Sequence, residues 1–599
     1  MTTDSWGVDD GWRDTRGRWQ PASPATIEAI HEAIGDPAPG RAAWVVRPGA
    51  DDVLPRPHHL QLEDGTDLGE VGHLPSGLPL GIHALTPIDG GPATSLIVSP
   101  GRGHLPPDLR SWGVAVQVPT ARSAASWGIG DLADVRTLAG WLADLGGDVL
   151  ALSPLHAPTP VHPIAASPYY PSSRRWRSPL LIRVDEVPGA DRPDVVALGA
   201  QARSLLDEPV VDRDRCWALQ RPALEHIWAA RTAADRDRLA AWRTEHGDAL
   251  EGWARFCALA EQHGPSWRGW PAELRHPGGA AVGRAAASVA DRVEFHAWLQ
   301  LLVDRQLDDA RRVGPRLVQD LAVGVDPGGA DAWLWQDLLA DEFSIGAPPD
   351  SFVPEGQSWG LPPWVPWRLR DIGYRPLADL LRASLVAGGG LRIDHVMGLS
   401  RLFWVPAGGS PADGAYVRFA GRELLDVVAL ESARAGAVIV GEDLGTVEPA
   451  FRQELRATGI LSTRVVWFEA IPPEAWPAEA LAMVTTHDLP TLVGMASGRD
   501  SPPEMLANLE HLVGPVSGRP VADVSVEVHR RLGASPAAFA LATLEDALAV
   551  PERPNRPGTT DDERSNWSVA LPALVDDLPD HPGARATLQA LGQGRTNPN

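Results

Sequence analysis

Acidic residues recur where apolar runs end. Asp394 closes LRID (391–394), Glu442 and Asp443 close VIVGED (438–443), Asp488 closes VTTHD (484–488), and Asp320 follows RLVQ (316–319). Two of these acids have a His neighbour, in Asp394-His395 and His487-Asp488. One such Asp would most simply cap the next helix. Three of them, each after a separate apolar strand, point to one cleft at the C-terminal face of a parallel barrel. Several carboxylates without a metal cluster suit glycoside cleavage. One attacks the anomeric carbon, a second donates a proton to the leaving oxygen, and a third stabilises the cationic transition state. Arg392 lies two residues before Asp394, so strand alternation puts both on one face. Its charge would keep that carboxylate ionised, as a nucleophile requires, and a structural ion pair is the same contact read differently. His395 and His487 read as hydrogen-bond donors to sugar hydroxyls. Neither falls in an H-x-x-x-H or H-E-x-x-H spacing, so no metal site is expected.

Elements able to hold such a cleft are visible. Apolar strand-like runs occur at 113–119, 148–154, 315–325, 391–396, 437–445, 463–469, 481–488 and 538–546. Helical stretches lie between most of them, such as DLADVRTLAGWLADLGG (131–147), which stops on Gly146-Gly147. Continuous apolar strands separated by helices mean a parallel sheet covered on both faces. Eight of them predict an α/β fold, a closed (β/α)8 TIM barrel, with an open sheet as the runner-up. No G-x-G-x-x-G follows any strand, which leaves a dinucleotide fold little support. Residues 201–312 are helix-rich and too long for one crossover, so they read as a helical insertion. Residues 1–110 differ from the rest. They hold a short helix, PATIEAIHEAIGD, behind a Ser23-Pro24 start, then short strands in AAWVVRP, HHLQLED, GIHALTP and TSLIVSP. That predicts a small β-rich N-terminal domain, a linker at 99–113, and a catalytic barrel over 111–599.

The 599-residue chain carries a formal charge of −24 from 77 acidic and 53 basic residues, and no Lys occurs among the latter. An acidic balance disfavours nucleic acid or an anionic membrane as the partner and is compatible with a neutral sugar. Cys216 and Cys257 are too few for a disulfide framework or a Cys-based zinc site. The N-terminus lacks the basic and apolar regions of a secretory signal, and no apolar run approaches 18 residues, so a cytoplasmic protein is expected. There are 24 Trp against 4 Tyr and 9 Phe. Core packing accounts for most of them, with sugar-stacking platforms as the sharper reading for a few.

The motifs together resemble the 4-α-glucanotransferases called amylomaltases or disproportionating enzymes, glycoside hydrolase family 77. The matching stretches are SWGIGDL (126–132), SPYYPSSRRW (167–176), DLAVGVDPGGADAW (320–333), GAPPDSFVPEGQSWGLPP (346–363), LRIDHVMGLSRLFWVP (391–406), GEDLGTV (441–447), THDLPTL (486–492) and RPGTTDDERSNW (556–567). They run in the family's order, and the likeness is to its longer bacterial form, although Pro119 stands where that form carries Tyr. The resemblance implies Asp394 as nucleophile of a covalent β-glucosyl-enzyme, Glu442 as acid/base and Asp488 as the third carboxylate. It implies Arg392 and His487 as supports, with Asp350 and Trp359 as sugar contacts on a loop (346–363) that covers the cleft. Trp359 reads equally as a loop anchor, and Trp364 and Trp367 as packing. Tyr169, Asp320 and Asn566 are implied glucan-binding or supporting residues. It further implies retention of configuration, carboxyl oxygens about 5 to 5.5 Å apart, maltooligosaccharides and α-1,4-glucans as substrates, and no cofactor. The rivals are an amylase-like α-glucan hydrolase and a non-catalytic glucan-binding barrel. The complete set of three carboxylates disfavours the second.

Overall fold

A strand buried on both faces has no polar side to show, and the apolar runs form strands of that kind. In this computed structural model the described residues are 2–14, 17–36, 43–350, 353–385, 388–445, 447–560 and 563–596. Eight strands build the central sheet: β1 (Ser111–Val116), β2 (Val149–Leu152), β3 (Arg316–Leu321), β4 (Gly390–Ile393), β5 (Val438–Gly441), β6 (Ser462–Val465), β7 (Ala480–Met483) and β8 (Phe539–Thr543). Each of the eight predicted runs overlaps one of them. The order is β5-β4-β3-β2-β1-β8-β7-β6, and the pairs β1/β2, β2/β3, β4/β5, β7/β8 and β8/β1 are parallel. At the ends of that order, Val440 of β5 bridges Leu461, the residue leading into β6. The Gly441 amide donates to the Leu461 carbonyl (2.7 Å), and the Leu461 amide to Ile439 (2.9 Å). Strand order is therefore cyclic, as a (β/α)8 barrel requires, and the open-sheet alternative falls. The helices between strands end as sequence chemistry dictates. Gly436 and Gly459 adopt left-handed conformations that close Gly421–Ala435 and Pro449–Thr458.

Two compact units divide the chain. The first comprises Met1–Pro106, Val323–Pro327 and Trp335–Ser462, and the second Pro107–Ala322, Gly328–Leu334 and Thr463–Asn599. In the first unit, β4 and β5 are flanked by helices Arg375–Ser384 and Gly421–Ala435. A five-stranded sheet runs in the order Trp44–Val46, Thr94–Val98, Gly81–Pro87, Val53–Gln61, Asp67–His73. Leu60, Leu74, Leu96 and Val98 form its core. The strand at 67–73 is exposed on both faces, so no alternation announced it. Arg47 pairs with the buried Asp426 (2.9 Å), and Glu63 pairs with Arg382 and Arg434, fastening this sheet to the two flanking helices. The predicted N-terminal helix is Pro24–Ile34, capped by the Ser23 side chain.

A second sheet of the first unit is antiparallel: Gln357–Leu361, Phe343–Ala347, Arg401–Pro406, Ala415–Arg418 in spatial order. The covering segment expected as a loop is thus rooted in a β-hairpin, and its residues 351 and 352 lie outside the described residues, as do Thr446, Asp561 and Asp562 of the other motifs.

The second unit holds the helical insertion between β2 and β3. Its helices are Arg213–Ala229, Ala233–His263, Ala280–Ser288 and Ala290–Arg311, and the second is broken at Gly247. Helix Leu132–Asp144 starts with a reciprocal cap between Asp131 and Asp134. Residues expected as linker up to 113 already belong to β1 from Ser111, whose hydroxyl donates to Asp148 (2.7 Å). Trp127, Trp217, Trp253, Trp270, Trp333, Trp404 and Trp467 are fully buried, so the Trp excess is chiefly core.

Candidate active site

In the first unit the acids follow β4 and β5. Asp394 is the first residue after β4, and Arg392 within β4 reaches it at 3.0 Å, both side chains partly open to solvent. Glu442 is the first residue after β5. Its amide donates to the Ile393 carbonyl, and its own carbonyl accepts from Val396, each at 3.0 Å. Its carboxylate accepts from the His395 amide (3.1 Å) and the Leu444 amide (2.7 Å). Burial nevertheless pushes the Glu442 carboxyl above its ordinary range, against the pull of Arg392 and those two amides. The two strand ends therefore carry an Asp paired with a guanidinium and a Glu biased toward its protonated form, the asymmetry that an acid and a nucleophile need.

Backbone geometry is special here. His395 sits in the left-handed region (φ 46°), and burial lowers its pKa, so the ring is neutral near pH 7. Gly441 cannot carry a side chain cheaply, because a Cβ would come within 2.9 Å of Val396. Trp359 of the β-hairpin meets the His395 ring edge-on at 5.2 Å. Asp350 accepts the Val353 amide (2.6 Å).

In the second unit, Tyr169, Asp320, His487 and Asp488 cluster. The Tyr169 hydroxyl donates to Asp320 (2.6 Å) and lies 3.4 Å from Nδ1 of His487. Tyr169, His487 and Trp567 form a triangle of rings, with centroids 4.8 to 5.2 Å apart. Asp488 is half-exposed and accepts from the Asn555 side chain (2.7 Å). The Asn555 amide donates to the His487 carbonyl (3.0 Å), and Arg553 to the Asp488 carbonyl (2.6 Å). Asn566 is buried and spends its side chain inside its own loop, accepting from the Arg556 amide (3.1 Å) and donating to Thr559 Oγ1 (2.9 Å). Just beyond β8, burial pushes the Glu545 carboxyl up to about 7 and that of Asp546 to about 6.

Sequence reasoning missed Arg553, Asn555, Trp567 and Glu545. Asn555 and Trp567 flank or close the RPGTTDDERSNW stretch, and the ED after β8 repeats the pattern of acids at strand ends. Among the described residues, no group of three or more His, Cys, Asp or Glu side chains is placed to hold a metal ion. No helix among them is long and apolar enough to cross a membrane.

A parallel barrel with carboxylates at its strand ends, one paired with a guanidinium and another with its pKa raised by burial, fits the class of carboxylate-based glycosidic-bond enzymes. The comparisons narrow it. Residues 116–575 match the family model described as glycoside hydrolase 77, 4-alpha-glucanotransferase. The 4-alpha-glucanotransferase of Mycobacterium tuberculosis is 37% identical across 99% of this chain and 97% of its own length. The crystal structure of amylomaltase from Corynebacterium glutamicum superposes with a TM-score of 0.87 at 29% identity, covering 98% of both chains. Amylomaltase from Streptococcus agalactiae, solved in complex with acarbose, shares the fold with a TM-score of 0.68 at 19% identity, over 82% of this chain and 100% of that one. The chain belongs to the 4-alpha-glucanotransferase family, glycoside hydrolase family 77.

Proposed function

We propose that this enzyme moves a segment of an α-1,4-glucan onto the 4-hydroxyl of another glucan or of glucose by a retaining double displacement. Asp394 attacks the anomeric carbon while Glu442 gives its proton to the departing glycosidic oxygen, and a β-glucosyl ester forms on Asp394. Glu442, now a carboxylate, takes the proton of the acceptor's 4-hydroxyl as that oxygen attacks the ester carbon, and Asp394 leaves. The observation that carries this reading is the contrast between the two acids. Arg392 stands 3.0 Å from Asp394, whereas burial raises the pKa of Glu442. Maltooligosaccharides are the substrates this chemistry serves.

Asp488 serves as the third carboxylate, held by Asn555 and by the backbone contact of Arg553. Tyr169, Asp320, His487 and His395 present polar edges to the sugar, and Asn566 acts by shaping its loop. Trp359 and Asp350 serve from the hairpin at 346–363, which shields the ester from water so that transfer outruns hydrolysis. Incubation with maltotriose tests the reading. A ladder of longer maltooligosaccharides with free glucose is the expected product set. Maltose and glucose alone would make the protein a hydrolase, and an unchanged substrate would remove the glucan reading.

A further inference from the structure

The family match begins at residue 116, yet a side chain near the N-terminus lies buried inside the half of the molecule that carries Asp394 and Glu442. Residue 8 bridges Val417 of the antiparallel sheet, and the amide of Asp9 donates to the Tyr416 carbonyl (2.9 Å). Trp12 packs with Phe403, Val405 and Tyr416. Asp9 itself is fully buried. Its carboxylate accepts from Nε of Arg418 (2.7 Å) and from the Thr3 hydroxyl (2.6 Å), and Arg401 stands 3.6 Å away. Both guanidiniums also reach Glu448, Arg401 at 3.1 Å and Arg418 at 3.4 Å, and the Arg401 guanidinium lies 4.1 Å above the Tyr416 ring.

Glu448 is the residue that starts helix Pro449–Thr458. One turn into that helix, Arg452 clasps Asp443, donating to its carboxylate and to its carbonyl, each at 3.0 Å. Asp443 is the neighbour of Glu442. A continuous line of charged contacts thus runs from Asp9 through Arg401 and Arg418 to Glu448, and from the helix it starts to Asp443. We infer that Asp9 is a positioning residue for the reaction: through this line the N-terminal segment sets the place of Glu442. Removing a buried carboxylate that faces two guanidiniums takes away opposite charge that holds the two cations side by side, so their contacts to Glu448 must readjust. A displacement of about 1 Å in a catalytic group costs roughly a hundredfold in rate, so even a partial shift is measurable.

The inference rests on Glu442 acting as the acid, and the test separates the two. Full-length Asp9→Asn, Glu448→Gln and the double variant are assayed with maltotriose and, in a rapid single turnover, with α-maltosyl fluoride. With the fluoride, Asp394 bonds to the anomeric carbon as the carbon–fluorine bond breaks. Fluoride leaves as the anion and needs no proton. Asp9→Asn is expected to lower kcat on maltotriose about tenfold, with KM within about twofold, and to leave single-turnover fluoride release at the wild-type rate. The double variant is expected to be no slower than the slower single variant, because both break one line. Equal losses on both donors, wild-type kcat on maltotriose, or losses that multiply in the double variant would overturn the inference. If Asp9→Asn does not fold, Glu448→Gln alone decides by the same contrast between donors. Glu442→Gln measured alongside reports on the acid itself: wild-type activity there would sink the mechanistic reading rather than the role of Asp9.

Discussion

Arg392 acts on two acids with opposite needs. It stands 3.0 Å from Asp394, where its charge favours the carboxylate, and it pulls against the burial that raises the Glu442 pKa. Removing its charge raises both pKa values. The acid must be protonated to work, so the basic limb of the kcat/KM–pH profile follows Glu442. The acidic limb follows Asp394. Arg392→Gln is therefore expected to move both limbs to higher pH, by about one unit, while lowering kcat/KM overall. A pH profile on maltotriose checks this, and a shift to lower pH would contradict the assignment. Asn555 gives a second residue-scale expectation. Its hydrogen bond to an ionised Asp488 is of the charge-assisted kind, worth about 1.5–3 kcal/mol, so Asn555→Ala should lower kcat roughly ten- to hundredfold with folding intact by circular dichroism. The acids were legible because strand ends are legible. Asn555 was not, since it meets Asp488 across 67 residues of chain, and no local pattern marks that approach. Nor did the sequence tell that Asn566 would turn inward, for an Asn has the same letter whether it faces sugar or its own loop.

At the scale of elements, the barrel strands were readable because parallel strands under helices are apolar without interruption, as in β5, β7 and β8, which are buried at every position. Their ends were less so. The run at 463–469 yields only β6 and then a tight turn of helix, because Val466–Phe468 leaves the sheet. The antiparallel sheet that includes the hairpin escaped notice for a different reason. Its strands Gln357–Leu361 and Arg401–Pro406 lie far apart in sequence and pair only through Phe343–Ala347. One element depends on charge rather than on apolar pattern. Arg183 is buried between Asp131 and Asp134, which together cap helix Leu132–Asp144, and it also reaches the Ser123 hydroxyl (3.1 Å). Taking the cation away leaves two buried carboxylates side by side. Arg183→Met is expected to cost about 3–5 kcal/mol of stability, read from the denaturant midpoint. A midpoint equal to wild type would show that the cluster is not what holds the helix start.

At the scale of the whole molecule, the N-terminal hundred residues are fastened by charge to the rest of the first unit, which carries Asp394 and Glu442. Arg47 covers Asp426, Glu63 joins Arg382 and Arg434, and Asp9 joins Arg401 and Arg418. Glu63 is held down to about 2 despite its burial, by the two guanidiniums and the Ile82 amide, so its contribution is present above pH 4.5 and fades as the pH falls toward 2. A chain begun at Pro107 would leave Asp426 without Arg47 and Arg401 without Asp9, with apolar helix faces bared. It is expected to be insoluble or to lack a cooperative melt, and a soluble, cooperatively melting and active truncation would refute this view of the segment. Composition did foretell a β-rich region here. Its attachment was invisible, because each ion pair joins residues more than three hundred positions apart.

Trapping the covalent intermediate tests the central claim most directly. Glu442→Gln incubated with α-maltosyl fluoride can form the ester without acid help but cannot activate an acceptor to clear it. Intact mass followed by peptide mapping should find a maltosyl adduct on the peptide containing Asp394, and none in Asp394→Asn. An adduct on another residue, or turnover with an inverted product anomer and no adduct, would contradict a double displacement at Asp394.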